Sequence, residues 1–254
     1  MGFPVLVFRV KGQFAHWRKW FTTTSPLTYS FPPRTAILGL VGAIAGVQRD
    51  EIPEKFPLQA TKISVCPLTR IVKDRLPETW YWSPVRIVDG EIQLGEKKEA
   101  IKTFQVNLEV IRYPYYRIIF WHEDEKLMAE LAARLREKRW FYPPCLGIMG
   151  FLADIEFEGE DEAEEAEGGK IELNSILPLD EDSPLLELNP SGNYIREERL
   201  PLEVFPGRQF DYLRVAYIES SAQPLSLKVK EGVMKYALLK KSGFRIMFFE
   251  QAGR

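Results

Sequence analysis

The segment FPPRTAILGLVGAIAGV, residues 31–47, decides how the chain is read. Two prolines precede a run without helix breakers, and Gly46 stands near its end, so the pattern predicts a helix over residues 34–47. The run is apolar nearly all round, which requires burial on most sides. Ala36, Gly39, Ala43 and Gly46 follow 3-4-3 spacing and form one face of small residues. A glycine inside a helix costs about 1 kcal/mol relative to alanine. Close approach to a sheet or to another chain is what this face is expected to provide in return.

Working outward, FPVLVFRVK (residues 3–11) reads as a buried strand rich in Val and Phe. KISVCPLT (62–69) reads as a strand that Pro67 places at an edge or near its end. YYRIIFWH (115–122) is a third strand. Residues 123–139 form an amphipathic helix on Leu127, Leu131 and Leu135, with acids at its start and bases at its end as the helix dipole favours. Residues 148–157 supply a fourth strand. The order β-α-β, insertion, β-α-β is the split βαβ or ferredoxin-like arrangement, which RNA-recognition modules share. The expected fold is therefore α+β: a ferredoxin-like domain over 1–157, an acidic flexible loop at 158–169, and a smaller β-rich domain over 170–254. The insertion, 70–114, contains hairpin-like pieces.

A hydrophobic fraction of 45% over 254 residues is enough for a substantial core. No apolar run reaches the 18 or more residues of a membrane span, and residues 1–10 lack the layout of a signal peptide, so a cytoplasmic protein is expected. Cys66 and Cys145 form no CxxC and suit a reducing compartment. The net charge of −2 conceals an asymmetry. Residues 1–49 carry six bases (Arg9, Lys11, Arg18, Lys19, Arg34, Arg49) and no acid, whereas 154–167 carry nine acids and no base. An acidic total therefore leaves room for a polyanionic partner.

No phosphate loop, dinucleotide fingerprint or nucleophile elbow is present. Two histidines and two cysteines, far apart, give no metal-ligand spacing. Neither a metal nor another cofactor is expected, and no residue is assigned a catalytic role. The strongest pattern is the long segment 12–34, GQFAHWRKWFTTTSPLTYSFPPR, which interleaves His16, Trp17, Arg18, Lys19 and Trp20 with the hydroxyl residues Thr22, Thr23, Thr24, Ser25 and Thr28. Cations neutralise phosphates, hydroxyls bond phosphate oxygens and aromatic faces stack on splayed bases. The competing reading is that the aromatics pin the segment to the core, and it is preferred for Phe14, Phe21 and Phe31. A cation at position 34, in a helix's first turn, opposes the dipole unless it pairs with a carboxylate or shares a bound phosphate with Thr35; both readings stand.

Residues 28–35 (TYSFPPRT), followed by Ile37-Leu38-Gly39-Leu40 and Gly46, resemble the N-terminal signature of the CRISPR-associated Cas-five family. This family belongs to the RAMP superfamily of ferredoxin-like RNA binders. Residues 142–147 (YPPCLG) resemble that family's Pro-x-Leu-Gly element ahead of the fourth strand. The likeness covers residues 3–155. It implies a non-catalytic subunit of a type I Cascade interference complex that holds the repeat-derived 5′ tag of the guide RNA (crRNA). The partners implied are the crRNA, a backbone RAMP subunit and a large subunit. By position, 70–114 is the family's thumb, with Lys73, Arg75 and Arg86 as RNA contacts and Trp80 and Trp82 as an exposed patch. The RNA-binding set expected is His16, Trp17, Arg18, Lys19, Tyr29, Arg34, Thr35, Lys73 and Arg75. Some relatives cleave precursor guide RNA without metal through a Tyr, a Lys and a His. His16 with Lys19 and Tyr29 is the nearest approach to that trio; His122 has no Lys beside it. A purely protein-binding scaffold is the third reading.

Overall fold

Strand β1 (Phe3–Lys11) buries both of its faces, which is why its sequence is a continuous apolar run rather than an alternating one. Leu6, Phe8 and Val10 join the larger core cluster, while Val5 and Val7 join a second cluster on the opposite face with Ile119, Ala237 and Phe248. The computed structural model describes residues 2–22, 25–82, 85–88, 91–94, 102–179, 195–205, 209–219, 223–229 and 235–251. After β1 the chain makes β2 (Phe14–Ala15), α1 (Arg34–Ala45), the short α2 (Ile52–Lys55) and β3 (Thr61–Pro67). The insertion then holds β4 (Lys73–Trp82), β5 (Val85–Val88), β6 (Glu91–Leu94) and β7 (Lys102–Arg112). Next come β8 (Tyr115–His122), α3 (Glu125–Glu137), β9 (Asp154–Glu167), β10 (Gly169–Leu173) and β11 (Leu177–Leu179). The last strands are β12 (Ile195–Phe205), β13 (Gln209–Ile218), β14 (Leu225–Val229), β15 (Lys235–Leu239) and β16 (Arg245–Ile246).

The main sheet has the order β16-β15-β9-β1-β8-β3, and every neighbouring pair in it is antiparallel. Helices α1 and α3 pack on each other and bury Ile37, Leu38, Val41, Ile44, Leu127, Leu131 and Leu135 in the core cluster that includes Phe8 and Phe120. Helix α1 stops where Gly46 takes the left-handed conformation (φ 84°) and its N–H caps the Gly42 carbonyl at 2.8 Å. Asp124 opens α3 by accepting hydrogen bonds from the Lys126 and Leu127 amides, at 3.0 and 3.2 Å. The insertion forms a long antiparallel ladder of β4 against β7, from Lys73↔Ile111 to Trp82↔Lys102. Strand β2 pairs with β7 near its base.

Three expectations need correction. Residues 158–167 are not a flexible loop. They continue β9, which pairs with β1 on one side and β15 on the other. Nine acids in one run look like a solvated segment, but bases on neighbouring elements answer them. Arg9 meets Glu156 and Glu158 at 3.3 and 2.9 Å. Lys11 meets Asp154 at 3.4 Å and also Glu156. Arg117 meets Glu158 at 2.5 Å, and Lys240 meets Glu162 at 2.7 Å. The buried Asp161 carboxylate accepts from the Lys241 and Ser242 amides at 2.9 and 3.2 Å. Exposed pairs of this kind stabilise by little each, but together they remove the repulsion that would unzip such a strand. The fourth strand also begins at Asp154 rather than Ile148.

Residues beyond 170 do not stand apart from the rest either. β15 and β16 extend the main sheet, and Leu200, Leu202, Leu213, Val215, Tyr217 and Phe249 belong to the same core cluster as α1 and α3. Among the described residues no helix is long and apolar enough to cross a membrane.

Candidate nucleic-acid interface

The long segment between β1 and α1 is fixed by hydrogen bonds rather than by regular structure. The His16 amide donates to the Leu146 carbonyl at 3.0 Å, and the Tyr29 amide to the Trp17 carbonyl at 2.9 Å. Thr28 Oγ1 accepts from the Trp17 amide at 2.9 Å. Ser30 is held three ways: its amide donates to Glu198 Oε2 at 2.9 Å, its hydroxyl meets Tyr217 at 2.7 Å, and its carbonyl accepts from the Tyr116 hydroxyl at 2.7 Å. Gly147 closes on the same segment. It has φ 93°, and a Cβ there would run into the His16 carbonyl, so only glycine fits. The 142–147 motif therefore closes on the long segment at His16, next to Trp17, whose carbonyl holds Tyr29 of the 28–35 motif.

Between these parts lies a cleft of about 540 Å³. One wall is α1, through Pro33, Thr35, Ala36, Gly39, Leu40 and Ala43, continued by Arg49. The second is His16, Trp17, Arg18, Trp20 and Tyr29; Cys145 and Gly147 close one side, and Pro201, Phe210 and Tyr212 of the β12–β13 hairpin close the other. No acidic residue is among the described residues that line it. The small-residue face of α1 is divided: at Gly46 it serves the close packing its spacing led one to expect, since a Cβ there would lie 2.7 Å from the Phe141 ring, but at Gly39 it does not. A Cβ built on Gly39 would meet nothing within 4 Å, so the stripe leaves the cleft open there.

Five of the nine expected RNA-binding residues line the cleft: His16, Trp17, Arg18, Tyr29 and Thr35. Trp17 is only 5% exposed and lies in the core, edge-on to Tyr116 with ring centroids 5.8 Å apart. It is therefore a buried support, and the expectation that it stacks on a base is corrected. An open ring on the same wall is Trp20, 67% exposed and 5.9 Å from the Tyr212 ring. His16 is buried and its Nδ1 lies 2.7 Å from the Glu109 carbonyl oxygen. Burial pulls its pKa below the ordinary value; the Glu109 carbonyl opposes that shift and Arg18 reinforces it. Arg18 is exposed and donates from Nη2 to the Thr22 carbonyl at 2.8 Å.

The other four are elsewhere. Lys19 reaches Glu198 Oε1 at 2.5 Å, so an internal carboxylate takes its charge. Arg34 is 1% exposed; its Nε meets Glu250 Oε1 at 2.6 Å, and Nη2 donates to the carbonyls of Phe56 and Pro57, both at 3.3 Å. Of the two readings left open for Arg34, the salt bridge is the observed one, and the phosphate contact is corrected. Burial pushes the Glu250 carboxyl upward, while Arg34 and the Ile63 amide oppose the shift. Lys73 clamps the insertion to the segment, donating to the Thr28 carbonyl at 3.1 Å. Arg75 is exposed on β4, away from the cleft. The side chains of Arg86 and Trp82, like Thr23 and Thr24, lie outside the described residues. Trp80 is half-buried, edge-on to Phe104 at 6.0 Å.

Arg49, Phe210 and Tyr212 are the cleft residues that sequence reasoning missed. Arg49 shared in the basic bias of the first 49 residues, but nothing local marks the two rings. His122 serves the fold: Nδ1 accepts from the Asp124 amide at 2.9 Å, and Nε2 lies 3.0 Å from the Lys55 carbonyl oxygen. Among the described residues no group of acids, histidines and cysteines is placed to hold a metal ion.

None of the curated proteins matches the chain. Among solved structures, a CRISPR protein from Archaeoglobus fulgidus shares 13% identity over 96% of this chain and 98% of its own, with a TM-score of 0.54, which is likeness of fold. A chain of a CRISPR RNA-guided surveillance complex shares 15% identity over 88% of this chain and 91% of its own, with a TM-score of 0.46. A family model described as CRISPR-associated protein (Cas_Cas5) matches residues 5–180, more than half of the 254, and reaches from β1 through both motifs that meet at the cleft to β11; the chain belongs to that CRISPR-associated family.

Proposed function

We propose that this chain is a non-catalytic RNA-binding subunit of a Cascade-type CRISPR interference complex, holding the repeat-derived 5′ tag of the guide RNA against the cleft. The observation that carries the reading is the lining of that cleft: Arg18 and Arg49 at its rim, exposed Trp20 with Tyr212 on its wall, and no acid among its described residues. That combination suits a single-stranded backbone with splayed bases. The strand order β9-β1-β8-β3 with α1 and α3 as crossovers supports reading this part as the ferredoxin-like unit of RAMP proteins. The β4–β7 ladder supports reading the insertion as a thumb directed at a neighbouring subunit and the RNA. Guide–target pairing would read the sequence while this subunit fixes the end of the guide, the division of labour of RNA-guided effectors.

The ribonuclease alternative has less support. The Lys19 ammonium is held by Glu198 and the His16 ring by Glu109, which leaves no assembled Tyr–Lys–His trio around His16. The test is incubation of the full chain with repeat RNA in EDTA, with filter binding in parallel. Binding without a fixed cut is expected. A cut at one repeat position that disappears in His16→Ala would replace this proposal with the nuclease. Absence of binding would leave the protein scaffold.

A further inference from the structure

Tyr29 is 2% exposed, and its buried hydroxyl makes no hydrogen bond of good geometry, although the Trp20 backbone N–H lies nearby. Buried polar atoms are nearly always paired, so one that is not calls for a reason. The neighbouring segment is able to satisfy phenols: Tyr116 and Tyr217 both find Ser30 at 2.7 Å. The Tyr29 phenol instead sits on the cleft wall, beside Trp20 and Tyr212. Burial pushes its pKa up to about 12, so at neutral pH it keeps its proton and can donate.

His16, on the same wall, has a fixed polarity. A carbonyl oxygen only accepts, so the 2.7 Å contact to Glu109 places the proton of the neutral ring on Nδ1 and leaves Nε2 as a lone-pair acceptor. A site built for phosphate alone would present donors only. A buried acceptor and a donor lining one cleft match a ligand edge that carries an N–H next to a nitrogen or oxygen acceptor, and the Watson–Crick edge of a nucleobase has that alternation.

Resting on the RNA-binding reading above, we propose that His16 and Tyr29 read the hydrogen-bonding edge of one unstacked base, which lies against Trp20 while its phosphates lie at Arg18 and Arg49. The cleft is therefore a base-reading site for a single nucleotide of the tag rather than a general backbone groove.

Tyr29→Phe tests this cleanly, because the oxygen it removes makes no hydrogen bond of good geometry in the free protein, so the thermal midpoint should change little. The full chain and the variant are titrated with four octaribonucleotides that differ only in one central base, and with a fifth that is abasic at that position. For the wild type, at least one base should bind more tightly than the abasic oligomer. Tyr29→Phe should weaken the preferred base about five-fold, the order expected for one hydrogen bond, and leave abasic binding unchanged. Equal binding of all five oligomers by the wild type overturns the inference but not the RNA-binding proposal. So does an unchanged base preference in Tyr29→Phe, or equal weakening of all five. Failure of the wild type to bind any of them overturns both.

Discussion

Replacing Gly39 should separate stability from binding in one position. It stands inside α1, where alanine is favoured over glycine by about 1 kcal/mol. Part of that gain comes from restricting the unfolded chain. The new methyl group meets no atom within 4 Å, so no steric term offsets the gain. Gly42, on another face of the same helix, is a built-in control: a Cβ there would lie 3.3 Å from Ile52 Cδ1 and 3.4 Å from the Val47 carbonyl, which should reduce or cancel the benefit. Gly39→Ala is expected to raise the melting temperature by about 2–4 °C for a chain of this size, with RNA affinity nearly unchanged. Gly39→Leu keeps most of the helix gain but puts an isobutyl group where a base would lie in the cleft. Its RNA affinity should fall by the value of a stacked base, about 1–3 kcal/mol, or roughly 5- to 150-fold. Scanning calorimetry and fluorescence titration with repeat RNA measure the two effects. The reasoning is refuted if Gly39→Leu melts higher than wild type and binds RNA equally well, since the cleft would then be irrelevant. It is also refuted if Gly39→Ala destabilises, since the helix surface at Gly39 would then be packed.

Arg34→Ala should destabilise by about 3–5 kcal/mol, because it strands the buried Glu250 carboxylate; Arg34→Met with Glu250→Gln should recover much of that loss in urea titrations, and neither protein should show an altered salt slope of RNA binding. Trp20→Ala should change stability by less than about 0.5 kcal/mol while weakening RNA binding by about 1–3 kcal/mol. Trp17→Ala should cost about 3–5 kcal/mol of stability, and a reversed order in paired melting and binding data would return the stacking role to Trp17. Burial holds both histidines below their ordinary pKa, so the unfolded chain binds protons more readily than the folded one. Their contribution is complete above about pH 6.5 and is lost as the pH falls below it toward the folded pKa values. Urea midpoints at pH 7.5 and 5.0 should therefore differ, with less difference in His122→Gln, and an identical drop in that variant would assign the effect to other groups.

Strands β1 and β8 and helices α1 and α3 were legible because each carries an unbroken local pattern: a doubly buried apolar run, or leucines every four residues between charged ends. Strand β9 was not, because what makes its acids tolerable lies on other elements, in Arg9, Lys11, Arg117 and Lys240. The same nonlocal pairing misled the charge argument for the site. Arg9, Lys11, Lys19 and Arg34 all meet carboxylates, so four of the six bases that suggested a polyanion partner serve the fold. Arg18 and Arg49 border the cleft. The segment 12–34 stands out by its length and composition, yet which of its rings are open depends on Tyr116 and on the β12–β13 hairpin. No window of local sequence contains that information.

The central position of β1 has a consequence for synthesis. Its hydrogen-bonding partners on either side, β8 and β9, begin only at Tyr115 and Asp154. At the usual ribosomal pace of about 5–20 residues per second, the first partner follows β1 after roughly 5–20 s. During that interval a strand of Val, Leu and Phe has both edges open, the condition that favours pairing with other chains. Yield in cells should therefore depend on how fast the ribosome crosses the insertion between β3 and β8, so that slow codons there promote aggregation while the same codons after β9 do not.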